Sequence, residues 1–235
     1  MITRRVLAVL AVVAMVPAGC STSTQPAPVA APAESPKATL HRTAEEIRKG
    51  NYSYDTIWGG YLRQGYLALP DGLSFALHRR GAEKRTEYDY RRIGEQRYVR
   101  LGGDVFDAQH WWRLDSKDAA YVRPDIEFAE AAGADLGGVA VVLDQIVDGA
   151  TRDGNTITGT VDFAGSTART VPLVLAKPGR PLPFTATVDA KGLLTRIEVQ
   201  VPAAEGQEAD VWRTSVYDFG TTKAPEMPIK QLIIK

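Results

Sequence analysis

Cysteine is almost missing from this chain of 235 residues: Cys20 is the only one. A disulfide framework is therefore excluded, and the fold has to be held by its core. A chain of this length can do so, since one domain of about 200 residues buries around 70% of the surface its unfolded form exposes. Histidine is nearly as scarce. His41, His78 and His110 are the three in the chain, and none has a second histidine or a cysteine at metal-ligand spacing. Nor is there an excess of one charge: 28 Lys and Arg balance 28 Asp and Glu, for a formal net charge of zero, which argues against nucleic acid as a partner. Catalytic signatures are missing as well. There is no Gly-x-Ser-x-Gly elbow, no His-Glu-x-x-His, no phosphate loop ending in Lys-Ser/Thr and no dinucleotide fingerprint. The run from Asp148 to Asp153 superficially suggests a calcium loop, but Ala150 and Arg152 stand where oxygen ligands are required. Glu87 and Asp89 share a strand face, a geometry a glycosidase could use, with no second feature to support it. The expectation is a non-enzyme without a cofactor or metal.

Long apolar runs are also lacking. The longest, Val6 to Val16, falls short of the roughly 20 residues a membrane-spanning helix needs. It follows Arg4-Arg5 and precedes the small pair Ala18-Gly19, so residues 1–19 read as an export signal. Small residues directly before Cys20 resemble the lipobox of bacterial lipoproteins, with Pro17 departing from the usual aliphatic residue. That resemblance implies that the Cys20 thiol receives a diacylglycerol, that the chain is cut before it, and that the mature protein is anchored to the outer face of the cell membrane. Each buried acyl CH₂ contributes about 0.8 kcal/mol, and two chains anchor stably where one is marginal. Residues 20–37 are rich in Ser, Thr, Pro and Ala and hold too little apolar area to fold, so they read as a disordered tether.

Residues 38–235 read as one β-rich domain. Thr43-Ala44-Glu45-Glu46 fits a capping box that starts a short helix ending near Gly50, with His41 ahead of it. Beyond it, short strand-like segments alternate with turn signals such as Pro70-Asp71-Gly72, Gly81, Gly94, Gly102-Gly103, Asp153-Gly154-Asn155 and Ala190-Lys191-Gly192, the spacing of an antiparallel meander. Leu73, Phe75 and Leu77 share one face, as do Ile157, Val161 and Phe163, and again Ile197, Val199 and Val201. One sheet face is thus apolar and the other wet. Two helical segments, Asp125 to Ala132 and Leu136 to Val147, are the elements available to cover the apolar face; in the second, Val139, Val142, Leu143, Ile146 and Val147 form one stripe. The fold class expected is α+β with a large antiparallel sheet. Trp111 and Trp112 are adjacent in a strand and must point to opposite faces. The basic cluster His78-Arg79-Arg80 with Lys84-Arg85 flanks Gly81 and reads as a solvated hairpin tip or a contact for anionic lipid.

The order of segments, with YLALPDGLSFALHRRG, YVRLGG, HWWRLD, PFTATVDAKGLLTRIEVQVP and VWRTSVYDFGTTKAPEMP, resembles the actinobacterial LppX/LprG lipoproteins of the LolA/LolB-like group. The hairpin from Thr187 to Leu194 and the closing Tyr217-Asp218-Phe219-Gly220 before Pro225 and Pro228 carry most of the likeness. It implies a curved antiparallel half-barrel with helices over its concave face, an apolar cavity between them, and a monomer that carries or presents an acyl lipid or lipoglycan without chemistry of its own. An acyl chain needs dry walls, since each methylene removed from water supplies about 0.8 kcal/mol. The residues expected as walls are Leu73, Phe75, Leu77, Val142, Leu143, Ile146, Phe163, Ile197 and Val199, with Trp111 or Trp112 at the rim. The alternative is a filled core, making the protein a lipid-anchored module that binds a protein or glycan.

Overall fold

The computed structural model describes residues 34–79, 87–101, 110–114, 132–164, 166, 173–176, 179–203, 208–230 and 233–234. The export signal, Cys20 and most of the tether lie outside these residues, as do the expected helix at Asp125 and the basic residues Arg80, Lys84 and Arg85. Residues Glu34–Lys235 form one compact unit.

The chain starts with helix α1 (Pro36–Arg48) and runs through β1 (Asn51–Trp58), β2 (Tyr61–Ala68), β3 (Gly72–Arg79), β4 (Glu87–Ile93), β5 (Gln96–Leu101) and β6 (Trp111–Leu114). A short helix, α2 (Val139–Leu143), precedes β7 (Thr151–Asp153) and β8 (Thr156–Val161). Then come α3 (Leu173–Ala176), β9 (Leu182–Val188), β10 (Leu194–Val201), β11 (Asp210–Tyr217) and β12 (Ile233–Ile234). The twelve strands of the described residues join one open sheet in the order β12-β6-β5-β4-β3-β2-β1-β11-β10-β9-β8-β7. It consists of two meanders, β1 to β6 and β7 to β11, united by antiparallel pairing of β1 with β11 from Ser53↔Tyr217 to Ile57↔Arg213. Among the described residues β12 alone pairs parallel, on β6.

The strand alternation expected from sequence is present. Leu73, Phe75 and Leu77 turn inward, as do Ile157 and Val161, and Ile197, Val199 and Val201, all within one apolar cluster. The outer face is less wet than expected. Residues 222–230 cross part of it, with Pro225 against Gly72 and the Glu226 carbonyl accepting from Arg91 Nη1 at 2.9 Å. Pro225 and Pro228 are buried there.

The helices depart from expectation. α1 begins at Pro36, capped by Ser35, whose hydroxyl accepts from Ala38 N. The tether therefore ends earlier than residue 37, and His41 lies inside the helix. Pro at the first helical position costs nothing, because its missing N–H is one of the unbonded donors of a helix start. Thr43 is no cap: fully buried in mid-helix, its hydroxyl accepts the Leu194 N–H at 3.0 Å and joins α1 to the start of β10. Covering Leu136 to Val147, the expected amphipathic helix is only α2, five residues that are all buried. Gly138 at φ 69° delays its start. Its end comes when Val147 N bonds Thr160 O and Ile146 bridges Val161, which draws the chain onto β8 and leaves Val147 exposed.

Gly65 is required where β2 passes β3. A Cβ there would lie 2.5 Å from Ser74 O and 2.7 Å from Phe75 Cβ, contacts that only backbone movement relieves. Overpacking of this kind costs about 1–3 kcal/mol, so Gly65→Ala should lower the urea midpoint at unchanged m-value; an unchanged midpoint would show that β2 and β3 can separate freely.

Candidate functional site

The residues expected as walls come together. Leu73, Phe75, Leu77, Val142, Leu143, Ile146, Phe163, Ile197 and Val199 all belong to one buried cluster between the inner sheet face, α1 and α2. None is more than 9% exposed. The tryptophans separate as their adjacency requires. Trp112 pairs with Val99 on the inner face and is 41% exposed. Trp111 is not on that face. It is buried on the outer side, with the Arg91 guanidinium 4.5 Å and the Arg100 guanidinium 5.1 Å from its ring centre. Asp89 accepts from Arg100 Nε at 2.8 Å, so its carboxylate serves an ion pair beside this stack.

Several polar groups lie inside the apolar face, a pattern that alternation alone does not reveal. Thr56 and Thr214 share a hydrogen bond of 2.8 Å across the β1–β11 seam. The Tyr52 hydroxyl donates to Ala134 O at 2.8 Å. Its pKa stands well above the ordinary phenol value, first through burial and then through the charge of Asp135. The Tyr54 hydroxyl, also fully buried, has no hydrogen-bond partner among the described residues. Its pKa is raised by burial, while the nearby Arg63 charge pulls it back.

Sequence reading also missed the cationic and aromatic group near the β1–β2 turn. The Trp58 and Tyr61 rings stack with centres 5.7 Å apart. The Arg63 guanidinium lies 5.2 Å from the Trp58 ring centre and 6.0 Å from that of Phe75, and Arg79 lies 5.7 Å from Tyr61. The register puts Trp58, Tyr61, Arg63 and Arg79 on the inner face. The available signal was the mismatch of a cation at an inward position of β2.

Asp135 is the buried acid of this region. Its carboxylate accepts the N–H groups of Ala140 and Val141 at 3.0 and 2.8 Å, satisfying the start of α2 from outside the helix. Burial raises its pKa to about 6, against the opposing pull of those backbone donors.

The grooves of the described residues lie away from the predicted walls. One of about 740 Å³ is bordered by Ile57, Arg180, Pro183, Asp210 and Arg213 on the outer side of β1 and β9 to β11. A smaller one of about 410 Å³ lies beside Ser53, Tyr66, Arg91 and Lys223. Among the described residues no group of three or more His, Cys, Asp or Glu is placed to hold a metal, and no helix is long and apolar enough to cross a membrane. His41 faces Asp144 at 4.0 Å. No protein-family model matches the chain, and no curated protein matches it either.

The raised pKa of Asp135 has a defined consequence. Folded protein holds the proton up to about pH 6 and unfolded protein only to about 3.8, so the stability from this group is full below pH 3.8 and is lost as pH rises through 6. The loss amounts to about 3 kcal/mol. Asp135→Asn should remove this decline between pH 4 and 6 in urea unfolding, whereas an identical slope in variant and parent would assign the decline to other groups.

Proposed function

We propose that this protein is a membrane-anchored extracytoplasmic lipoprotein that binds an acyl lipid or lipoglycan between the inner sheet face and the helices, and carries or presents it without catalysis. The observation that carries the reading is the convergence of nine apolar residues from β3, α2, β8, β10 and their flanks on a single cluster enclosed on one side of a wide open sheet. A sheet of twelve strands offers an inner face broad enough for an extended chain, and transfer of each methylene to it contributes about 0.8 kcal/mol. The close approach of β2 and β3 at Gly65 favours a strong bend, in keeping with a half-barrel of the LppX/LprG and LolA/LolB-like kind. The leader, Cys20 and the Pro- and Ser-rich stretch after it supply location, by lipidation of the thiol and a tether to the outer face of the membrane. The protein acts as a monomer in this reading, with the lipid and the membrane as its partners and no nucleic acid.

A second reading has its own support. The walls are packed to near-complete burial, while the groove of about 740 Å³ by Arg180, Asp210 and Arg213 lies on the outer side of the sheet. A filled core with that groove as the contact surface would make the protein an anchored module for a protein or glycan partner.

Native mass spectrometry of the full chain, purified gently from an actinobacterial host and compared with the denatured sample, separates the two. A non-covalent mass that resolves into acyl lipid is expected. Leu143→Trp should remove that mass while cooperative unfolding persists; unchanged bound lipid, or equal loss of folding and binding, would count against the slot.

A further inference from the structure

The apolar interior thins toward the β1–β2 turn. Along β1, burial falls from Tyr52 and Tyr54, both fully enclosed, to half-buried Trp58; along β3 it falls from Leu73 and Phe75 to exposed Arg79. Two guanidinium groups stand on the apolar side of the sheet at this thin end. Holding an aliphatic chain does not require them, and desolvating a charge there is costly. Their placement is nonetheless fixed by aromatic faces: Arg63 lies over Trp58 and Phe75, and Arg79 over Tyr61. One register step further in, the enclosed Tyr54 hydroxyl has no hydrogen-bond partner among the described residues. Arg63 pairs with Thr56 on β1, which makes it the diagonal neighbour of Tyr54 on the same face. Diagonal neighbours are about 7–8 Å apart at the backbone, within reach of long side chains.

Resting on the reading of the inner face as an acyl slot, we infer that its thin end selects ligands with an anionic terminus, a carboxylate or a phosphate monoester. Arg63 and Arg79 supply charged donors and the Tyr54 hydroxyl the innermost one, with the chain running from there toward Leu73 and Leu143. A guanidinium presents five N–H donors in a planar fork whose geometry suits both oxyanions. The stacked rings hold that plane in advance, which lowers the entropy lost on binding. The Tyr54 hydroxyl would then acquire the acceptor that the described residues do not provide.

The test compares laurate, dodecyl phosphate and dodecanol by calorimetry on the full chain carrying Cys20→Ser, so that no covalent acyl chain competes. A charged hydrogen-bonding pair is worth about tenfold or more in affinity, so the parent should bind the better of the two anions at least about tenfold more tightly than dodecanol. Which anion leads identifies the head group. Arg63→Met with Arg79→Met should bring that ratio close to one chiefly by weakening the anions, and Arg63→Lys in place of Arg63→Met should keep part of it. Retained dodecanol binding also reports that the variants fold; should the double variant lose it, Arg79→Met alone, at an exposed position, has to lower the ratio. Equal binding of alcohol and anions by the parent, or a ratio that survives the loss of both arginines, overturns the inference and leaves the slot standing. Failure of all three ligands to bind overturns the slot itself.

Discussion

Docking of α1 onto the inner face of the sheet is the contact on which the remaining architecture depends. Thirteen residues form a marginal helix in isolation, since nucleation is costly. α1 gains its stability by burying Leu40, Ala44 and Ile47 completely, worth about 5 kcal/mol for the three together. Its polar attachments are equally specific. Thr43 receives the Leu194 N–H. Arg48 pairs with Asp144 and Lys37 with Asp148, so the helix is tied to the turn that follows α2. Since α2 has only five residues and no side-chain cap of its own, it is held by its neighbours: α1 on one side, Asp135 at its start and Ile146 bridging to β8 at its end.

Polar groups on the inner face show how the two meanders are united without opening that face to water. The seam between β1 and β11 is sealed by Thr56 and Thr214, and the loop leading to α2 is held by Tyr52 and Thr56 through carbonyl groups. Each satisfied pair removes the cost of an unpaired buried group, about 1–3 kcal/mol. On the outer side the same economy uses charge: Glu198 bridges Arg196 and Arg213 across β10 and β11. The strap at 222–230 adds a further layer, fixed by Thr222 on Asn51 and by Pro225 on Gly72.

The sheet was legible in the sequence wherever apolar and polar residues alternate strictly. β3 and β10 are the clearest instances, and the order of turns disclosed the meanders. Helix limits were not legible. Thr43-Ala44-Glu45-Glu46 satisfies the local rule for a helix start, yet tertiary contact with Leu194 claims the Thr43 hydroxyl, and Ser35 with Pro36 forms the true start. Likewise the apolar stripe from Val139 to Val147 has helical spacing, but the β8 backbone competes for Val147 and ends the helix at Leu143. Of the candidate walls, Leu73, Phe75, Leu77, Phe163, Ile197 and Val199 follow from strand alternation and Val142, Leu143 and Ile146 from the helical stripe, and all nine converge. Trp111 does not, because adjacency fixes that the two indoles diverge without fixing which one turns inward. Arg63 and Tyr54 escaped notice since a cation and a phenol at inward positions acquire meaning only once the register places them side by side.

The proposed acyl chain lies between the inner sheet face and the helices. Photocrosslinking with a diazirine-bearing fatty acid, followed by peptide mapping of the full chain, addresses it most directly. Labelling is expected at inner-face residues of β3 and at α2, suppressed by an excess of unlabelled acyl ligand. Labelling confined to the outer groove by Arg180 and Arg213, or labelling that excess ligand does not suppress, would contradict it.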